Sequence, residues 1–228
     1  MLPTAPQPRV TRIFHSLLAG TVLLFLAAPS PTSAQPDTTQ GVGPIPPPTG
    51  VDTTEKDAPY VPTSQRIVRR MLEVAGVAAT DVVYDLGSGD GRIPITAATE
   101  FGARGVGIEI DPDLVAKSRK KAREAGVADR VDFRQKDLFD VNLEEATVVA
   151  LYLWPEINAK LLPKLLRELD PGDRIVSHDF RMGAWEPDRT IEAGPDKTGT
   201  ATLYLWVVPE EIPPRLMKNA TGEVGERP

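Results

Sequence analysis

Three glycines spaced two apart stand in the stretch VVYDLGSGDGRIPI (82–95), where they directly follow a β-branched apolar segment. They are Gly87, Gly89 and Gly91, and residues 87–91 form what we call the glycine loop. Glycine at the end of a strand lets the backbone turn tightly and approach a ligand, because no side chain blocks the way. The pattern indicates a ligand-binding loop, although a strand-to-helix turn that binds nothing can have the same sequence.

Two carboxylates accompany the glycine loop and narrow the chemistry of its ligand. Asp85 lies just before the loop and Asp90 lies within it. A pyrophosphate prefers bare N–H groups and positive potential, so these acids disfavour a dinucleotide and favour a cationic ligand. The spacing agrees, because Arg92 occupies the position of the third glycine in the dinucleotide pattern G-x-G-x-x-G.

Two more acids follow the next two strand candidates. Glu109 closes the segment GVGIEI (105–110), and Asp137 follows VDFRQ (131–135). The carboxyl ends of parallel strands meet at one edge of a sheet, where ligands of such folds bind. Either acid alone is typical of a solvated loop, but three acids at three successive strand ends beside a glycine loop predict a shared binding site.

Aromatic side chains and a histidine follow the fourth and fifth strand candidates. Tyr152 and Trp154 have faces that could hold an ammonium ion by cation–π attraction of about 0.5 to 2 kcal/mol. His178, followed by Asp179, is mostly neutral at pH 7 and could accept a proton. Packing aromatics and a histidine that only makes a structural hydrogen bond are the alternative interpretations, and both stay open.

Segments of strand length alternate with helical patterns in the central part of the chain. The strand candidates are VVYDL (82–86), GVGIEI (105–110), VDFRQ (131–135), ATVVALYL (146–153), RIVSHDF (174–180) and TLYLWVV (202–208). The helix candidates are RIPITAATEFG (92–102), PDLVAKSRKKAREAG (112–126) and PEINAKLLPKLLREL (155–169). Asp111 is the expected N-cap of the second helix, with proline at its first position. This alternation predicts a doubly wound, mostly parallel α/β sheet with an antiparallel hairpin at its C-terminal edge.

The remaining sequence has the character of targeting and linker segments. Residues 1–34 combine early arginines, an apolar run and small residues before Gln35, which predicts an export signal and hence a periplasmic or secreted protein. An uncleaved membrane anchor is the alternative. Residues 35–59 are rich in proline, glycine and threonine and predict a disordered linker, as do residues 209–228 at the other end. One domain remains, at residues 60–208.

Charge and residue usage exclude several classes of site. The formal net charge of −6 argues against a protein that coats DNA. The absence of cysteine excludes disulfides and thiolate sites, and two histidines disfavour a histidine-built metal centre, so we expect no metal. The second helix candidate is basic. Helices of such a sheet expose their polar side, so a solvated outer face is favoured over a nucleic-acid surface. Its basic residues are Lys117, Arg119, Lys120, Lys121 and Arg123.

The motif D-L-G-S-G-D-G (85–91) resembles the first motif of class I S-adenosylmethionine-dependent methyltransferases. The resemblance extends across the predicted domain and implies a seven-stranded Rossmann-like fold, with S-adenosylmethionine as cofactor. It implies that Asp85 faces the amino-acid end of the cofactor, that Glu109 takes both ribose hydroxyls and that Asp137 binds the adenine. The cofactor-binding residues that it implies are Tyr60, Asp85, Gly87, Ser88, Gly89, Asp90, Gly91, Glu109, Asp137 and Leu138.

Further segments are similar to a narrower group, the prokaryotic relatives of the lysine methyltransferases that modify the mitochondrial ATP synthase c subunit and the adenine nucleotide translocase. The matching segments are PYVPTSQRIVRRML, YDLGSGDGR, LYLWP, VSHDF and the W-x-P at 185–187. This similarity implies a protein substrate with a lysine acceptor, with membrane proteins among the candidates. It also implies that residues 60–63 cover the cofactor, although a rigid start to the following helix would explain their proline equally well.

The predicted function is S-adenosylmethionine-dependent protein-lysine N-methylation. A lysine side chain has a reference pKa near 10.4, so the site must desolvate the ammonium group or accept its proton. Tyr152 and Trp154 follow the fourth strand, where class I enzymes position the nucleophile, and His178 is the candidate proton acceptor. Two other classes stay open: a small-molecule or RNA methyltransferase, and an exported domain that keeps the fold without turnover.

Overall fold

The computed structural model describes residues 60–196 and 199–216. The predicted export signal and the linker up to residue 59 lie outside the described residues. The helices are α1 (Gln65–Val74), α2 (Arg92–Phe101), α3 (Pro112–Glu124) and α4 (Pro155–Glu168). The strands are β1 (Val82–Leu86), β2 (Arg104–Glu109), β3 (Val131–Gln135), β4 (Val148–Leu151), β5 (Arg174–His178), β6 (Arg189–Asp196) and β7 (Gly199–Val207).

The seven strands form one sheet in the order β3-β2-β1-β4-β5-β7-β6. Neighbouring strands from β3 to β5 pair in parallel, whereas β7 is antiparallel to both β5 and β6. This confirms the predicted α/β fold, a mostly parallel doubly wound sheet with an antiparallel C-terminal hairpin. The strand order reverses between β1 and β4, which is the place where folds of this kind bind ligands.

Strand β6 is absent from the strand candidates, because its sequence has no clear strand pattern. That sequence, RTIEAGPD, contains Gly194 and Pro195, which weaken a strand pattern. The pairing with β7 accommodates them through a register shift between Glu192 and Gly194. The edge carbonyls of Ala193 and Pro195 accept hydrogen bonds from Arg66 of α1, so tertiary contacts stabilise what local sequence does not.

The sheet is buried on both faces, so its central strands are apolar throughout. In β1, Tyr84 and Leu86 pack into one core cluster, whereas Val83 packs into the other on the opposite face. Alternate side chains of a strand point to opposite faces, which explains this division. The first cluster contains Leu161 of α4, and the second contains Ile67 of α1.

The ends of the elements follow the expected local signals. The Asp111 side chain caps α3 by accepting hydrogen bonds from the backbone N–H groups of Asp113 and Leu114, as predicted. β4 and β5 are shorter than the apolar runs from which they were predicted, since pairing stops at Leu151 and His178. Several residues directly beyond these points, including Tyr152 and Phe180, line a cavity and are not part of the ladder.

The described chain continues past β7, and none of its helices is long and apolar enough to span a membrane. Residues 209–228 were predicted to form a disordered tail, of which residues 217–228 lie outside the described residues. Within the described part, Leu216 is only 2% exposed and belongs to a core cluster, against which Ile212 packs. Two apolar side chains within a polar and proline-rich stretch are a weak sequence signal, so their burial is decided by the core that receives them.

Candidate active site

A cavity lies at the carboxyl ends of β1, β2 and β4, at the reversal of strand order. Its wall contains most of the residues that the sequence predicted for a binding site. These are Tyr60, Asp85, Gly87, Ser88, Gly89, Asp90, Glu109, Asp137, Leu138, Tyr152 and Trp154. Two predicted residues, Gly91 and His178, are not among the lining residues.

The glycine loop adopts backbone conformations that side chains disfavour. Gly87, Gly89 and Gly91 have φ of 82°, 53° and 78°, all in the left-handed region. A Cβ on Gly89 would lie 2.4 Å from Cε2 of Tyr60, so the tyrosine ring packs directly on the loop. A Cβ on Gly91 would lie 2.5 Å from Cζ of Phe133. Gly91 therefore serves internal packing, whereas Gly87 and Gly89 face the cavity.

Glu109, the last residue of β2, holds the glycine loop in place. Its Oε2 accepts a hydrogen bond from the backbone N–H of Gly89 at 2.8 Å, and its Oε1 accepts one from the N–H of Asp111 at 3.0 Å. Each carboxylate oxygen has a second lone pair, so both oxygens can accept further hydrogen bonds from the cavity. The sequence predicted a ligand contact for Glu109 but not this second function.

Asp85 is a buried acid on the cavity wall, with only 4% of its surface exposed. Burial, and then the negative charges of Glu109 and Asp90, raise the pKa of Asp85 to about 8, while Arg92 opposes the shift. The carboxyl group is thus neutral near pH 7 until a positive charge arrives beside it. A cationic ligand group would restore its ionised form.

Asp90 differs from Asp85 because it already has cationic partners. Its carboxylate accepts hydrogen bonds from Arg92 at 2.8 and 2.7 Å and from Lys121. Burial acts to raise the pKa of Asp90, but the hydrogen bonds from Arg92 and Lys121 outweigh it and hold the pKa well below its usual range. Asp90 therefore anchors the loop to α2 and α3, and because it also lines the cavity, its predicted cofactor contact stays a prediction.

Arg92 connects the glycine loop to residues 60–63, which we call the cover segment. Its guanidinium donates hydrogen bonds to the backbone carbonyl of Thr63 and, at 3.3 Å, to the hydroxyl of Tyr60. All four residues of the cover segment line the cavity, and α1 begins shortly after them. The segment thus both leads into the helix and forms part of the cavity wall. Arg92 was not predicted as a site residue, although it directly follows the motif.

Ser88 and Asp137 complete the polar wall. The Oγ of Ser88 is buried and has no hydrogen-bond partner within the described residues, so it is available to a ligand or a water in the cavity. Asp137 accepts a hydrogen bond from the backbone N–H of Phe139 at 2.8 Å, which fixes the turn after β3. Leu138 supplies apolar wall between these polar groups.

Aromatic rings bound the opposite side of the cavity. The ring centroids of Tyr152 and Phe180 are 6.0 Å apart, and those of Trp154 and Phe180 are 5.3 Å apart. Tyr152 and Trp154 were predicted from the sequence, but Phe180 was not. The segment VSHDF contains Phe180, but within that segment only the histidine was assigned a function from the sequence.

His178 lies behind this aromatic wall. It is fully buried, and its ring centroid is 4.1 Å from that of Tyr152. Its Nδ1 is 3.4 Å from Oγ1 of Thr63, and its Nε2 is 3.4 Å from Oδ2 of Asp179. The structure places the predicted proton acceptor in contact with Tyr152 and the cover segment, away from the lining of the cavity. Proton transfer by His178 stays a prediction.

The chain is similar in sequence to known methyltransferases. Residues 85–189 match the model of the ANTKMT methyltransferase domain. The chain is 44% identical to a protein-lysine N-methyltransferase of Saccharolobus islandicus (strain REY15A), over 67% of this chain and 94% of that protein. It is 36% identical to the Xenopus laevis lysine N-methyltransferase of the ATP synthase c subunit, over 64% of this chain and 63% of that protein.

One solved structure is more similar still in sequence. It is an RNA methyltransferase from Salinibacter ruber in complex with S-adenosyl-L-homocysteine, 63% identical to this chain. The match covers 67% of this chain and 97% of that one, with a TM-score of 0.63.

Proposed function

The chain belongs to the family of S-adenosylmethionine-dependent protein-lysine N-methyltransferases, and we propose that it methylates the side-chain amine of a lysine in a protein substrate. The observation that carries the proposal is one cavity with two unlike sides. Strand-end acids and a glycine loop form one side, and aromatic rings form the other. The first side suits a cationic cofactor and the second suits an alkylammonium acceptor.

The residues of the acidic side fit S-adenosylmethionine, which supplies a sulfonium methyl group together with its leaving group. Asp85 would pair with the ammonium of the amino-acid end, since a buried neutral carboxyl ionises when a cation approaches. The free lone pairs of Glu109 would accept the two ribose hydroxyls. The unsatisfied Oγ of Ser88 offers a further hydrogen bond at the same wall.

The protein itself must orient the acceptor and exclude water, because transfer from a sulfonium needs little acid–base chemistry. The cover segment, held by Arg92, lies on the glycine loop and closes part of the cavity. Tyr152 and Trp154 line the cavity beyond it, where a lysine stem would pack and its ammonium group would be partly desolvated. Desolvation lowers the pKa of an ammonium group and so favours the neutral, nucleophilic amine.

We further propose that the substrate is a membrane protein. Four of the exposed large apolar side chains in the described residues line the cavity, namely Tyr60, Val61, Ile110 and Trp154. Clustered exposed apolar residues are typical of a surface that contacts an apolar partner. The Xenopus relative is named for the c subunit of ATP synthase, which supports the same class of substrate.

Export remains our proposal for the location of the protein, supported by the sequence of residues 1–34 alone. Cleavage would leave a mature chain that begins near Gln35 outside the cytoplasmic membrane. Mass spectrometry of the native N-terminus, together with protease accessibility in intact cells, tests this. An uncleaved chain that is shielded from protease would contradict export.

An RNA acceptor is the second candidate, favoured by the Salinibacter ruber structure that is 63% identical. The basic helix α3 supports it less than its composition suggests. Lys121 pairs with Asp90, and Arg119 donates to the carbonyl of Phe133 at 2.6 Å, so two of its cations are engaged inside the fold. A formal charge of −6 also disfavours binding to phosphate backbones.

The test is transfer of a labelled methyl group from S-adenosylmethionine by the full chain. Membrane proteins and total RNA from its own cells serve as parallel acceptors. We expect label in the membrane proteins, recovered as methylated lysine after acid hydrolysis and insensitive to ribonuclease. Label in RNA alone would replace the lysine proposal with the second candidate. Cofactor binding without label in either acceptor would favour a non-catalytic domain.

A further inference from the structure

The backbone immediately after β5 is strained, and the strain directs one side chain into the cavity. Asp179 has φ of 59°, the only residue other than glycine with a positive φ among the described residues. The N–H of Phe180 donates to the carbonyl of His178 at 2.8 Å, which closes a three-residue turn around Asp179. Turns of this kind with a positive central φ are rare and costly, and such strain concentrates at functional sites.

Strand β7 holds the strained turn from one side. The N–H of Asp179 donates to the carbonyl of Thr202 at 2.7 Å, and the N–H of Thr202 donates to Oδ1 of Asp179 at 2.8 Å. Aspartate tolerates the left-handed region better than most residues, because its short side chain can make local hydrogen bonds. Both hydrogen bonds fix the direction in which the next residue, Phe180, leaves the strand.

Two fully buried polar side chains hold the turn from the other side. Ser177 Oγ donates to the carbonyl of Phe180 at 2.6 Å, and Asn158 Nδ2 lies 3.4 Å from the carbonyls of both Phe180 and Arg181. The Oδ1 of Asn158 is buried and has no partner within the described residues. A buried amide oxygen without a partner costs free energy, and the contacts of the amide nitrogen with the two carbonyls offset that cost.

The ring positioned in this way completes the aromatic wall. Phe180 stacks on Tyr152 with an interplanar angle of 19° and meets Trp154 at 51°, and all three side chains line the cavity. Aromatic faces attract organic cations, and the attraction is most useful for methylated ammonium groups, which are weakly hydrated. A wall of three rings is therefore an arrangement that would favour a methylated over an unmethylated acceptor.

We propose that Phe180 is a specificity-determining residue of the acceptor site, which favours lysine side chains that already carry methyl groups, and that Asn158 is its positioning residue. This rests on the proposed lysine acceptor. No bond is made or broken by either residue. Phe180 supplies a face for the alkylammonium group, and Asn158 keeps that face at the cavity by holding the backbone of the turn.

The test is a pair of binding titrations on the full chain saturated with S-adenosyl-L-homocysteine. The probes are Nα-acetyl-lysine methylamide and the same compound with an ε-trimethylammonium group, which has no lone pair and so serves as a non-reacting mimic of a methylated acceptor. We expect the parent protein to bind the trimethylated probe more tightly. Phe180→Leu should reduce that preference by roughly two- to fivefold, which corresponds to about 0.5 to 1 kcal/mol of cation–π attraction.

Phe101→Leu is the matched control, since Phe101 is a partly buried phenylalanine at the end of α2 that does not line the cavity. It should keep the preference of the parent. Asn158→Leu, which removes the amide but keeps an apolar side chain of similar size, should lower the preference in the same direction as Phe180→Leu. Both variants should retain affinity for S-adenosyl-L-homocysteine, which shows that the cofactor side is folded.

Three outcomes would overturn the proposal: a parent without preference for the trimethylated probe, an unchanged preference in Phe180→Leu, or a Phe180→Leu variant that also loses S-adenosyl-L-homocysteine. Failure of the lysine proposal gives a different result, because the parent would then label no lysine in the transfer assay whatever its binding preference. Labelled lysine together with an unchanged preference in Phe180→Leu would reject the specificity role alone.

Discussion

The acidic side of the cavity consists of the backbone of the glycine loop and of carboxylates, whereas the aromatic side consists of rings that pack on one another. The glycine loop is fixed by hydrogen bonds from its own N–H groups to Ile108 and Glu109 on the neighbouring strand. The aromatic wall instead depends on Phe180, which follows β5, whereas Tyr152 and Trp154 follow β4. The backbone geometry of the first side permits few substitutions, whereas ring packing on the second can be altered by single side chains. One cofactor site can therefore be kept while the acceptor preference changes.

The largest expected effect concerns the backbone of the acidic side. Gly91→Ala should lower the free energy of unfolding by about 3 kcal/mol, since it combines a disfavoured φ with overpacking against Phe133. Gly126→Ala is the matched control, because its φ is also positive but no atom of the described residues lies within 4 Å of the new Cβ, and it should cost only about 1 kcal/mol. Denaturant unfolding measures both. Equal losses would show that the packing of the loop contributes nothing.

The next largest effect concerns cofactor affinity, which we expect to depend on the acidic side of the cavity. Glu109→Ala should weaken S-adenosylmethionine binding by roughly 1.5 to 3 kcal/mol, the scale of hydrogen bonds to a charged group. It also removes the acceptor for the N–H of Gly89. Glu109→Gln should recover part of the affinity, since one carbonyl oxygen remains. Calorimetry measures the affinity of each variant for S-adenosylmethionine. An affinity equal to that of the parent in both variants would contradict the predicted ribose contact.

A pH effect of intermediate size should distinguish Asp85 from the other acids. Its folded pKa of about 8 means that the unliganded carboxyl is neutral below that pH, so pairing with the cofactor's ammonium requires proton release. Affinity for S-adenosylmethionine should therefore rise by up to roughly tenfold per pH unit as the pH increases towards the pKa of about 8. Calorimetry in buffers of different ionisation enthalpy would detect the released proton. A flat profile would exclude an ionised Asp85 as the partner of the ammonium.

The same raised pKa has a consequence for stability. A carboxyl whose folded pKa exceeds its unfolded value stabilises the protein at low pH, and that contribution is lost as pH rises from about 4 through about 8. Asp85→Asn should remove this loss, so the unliganded variant should be more stable than the parent at pH 8 while it binds the cofactor more weakly. Thermal unfolding across this pH range is the measurement. A variant less stable than the parent at pH 8 would contradict it.

The smallest expected effect lies on the aromatic side. Trp154→Leu should raise KM for the protein acceptor by roughly two- to fivefold, the range of a partly exposed cation–π contact, and leave cofactor affinity unchanged. Val207→Ala is its control, because Val207 is an exposed apolar residue on β7 that does not line the cavity. Steady-state kinetics on the labelled membrane protein would measure both. An equal change of KM in both variants would show that the aromatic side makes no specific contact with the acceptor.

Local signals made the acidic side predictable. The glycine spacing, the acids after successive strands and the proline after Asp111 each depend on backbone requirements that a short segment expresses by itself. The sequence could not assign different functions to Asp85 and Asp90, which lie five residues apart. Asp90 is ionised because Lys121 of α3 and Arg92 both donate hydrogen bonds to it, whereas Asp85 is neutral near pH 7 because it is buried and lies near the negative charges of Glu109 and Asp90.

The resemblance of residues 85–91 to the first motif of class I methyltransferases implied the class of cofactor. The sequence by itself determined the alternation of strands and helices and the position of the binding edge. These follow from periodicity and from residues close together in the chain. The tertiary structure decided that β6 forms a strand, that His178 lies behind Tyr152, and that Phe180 completes the aromatic wall. Each of these depends on partners distant in the chain, such as β7 and Asn158, whose contacts exist only after the sheet has formed.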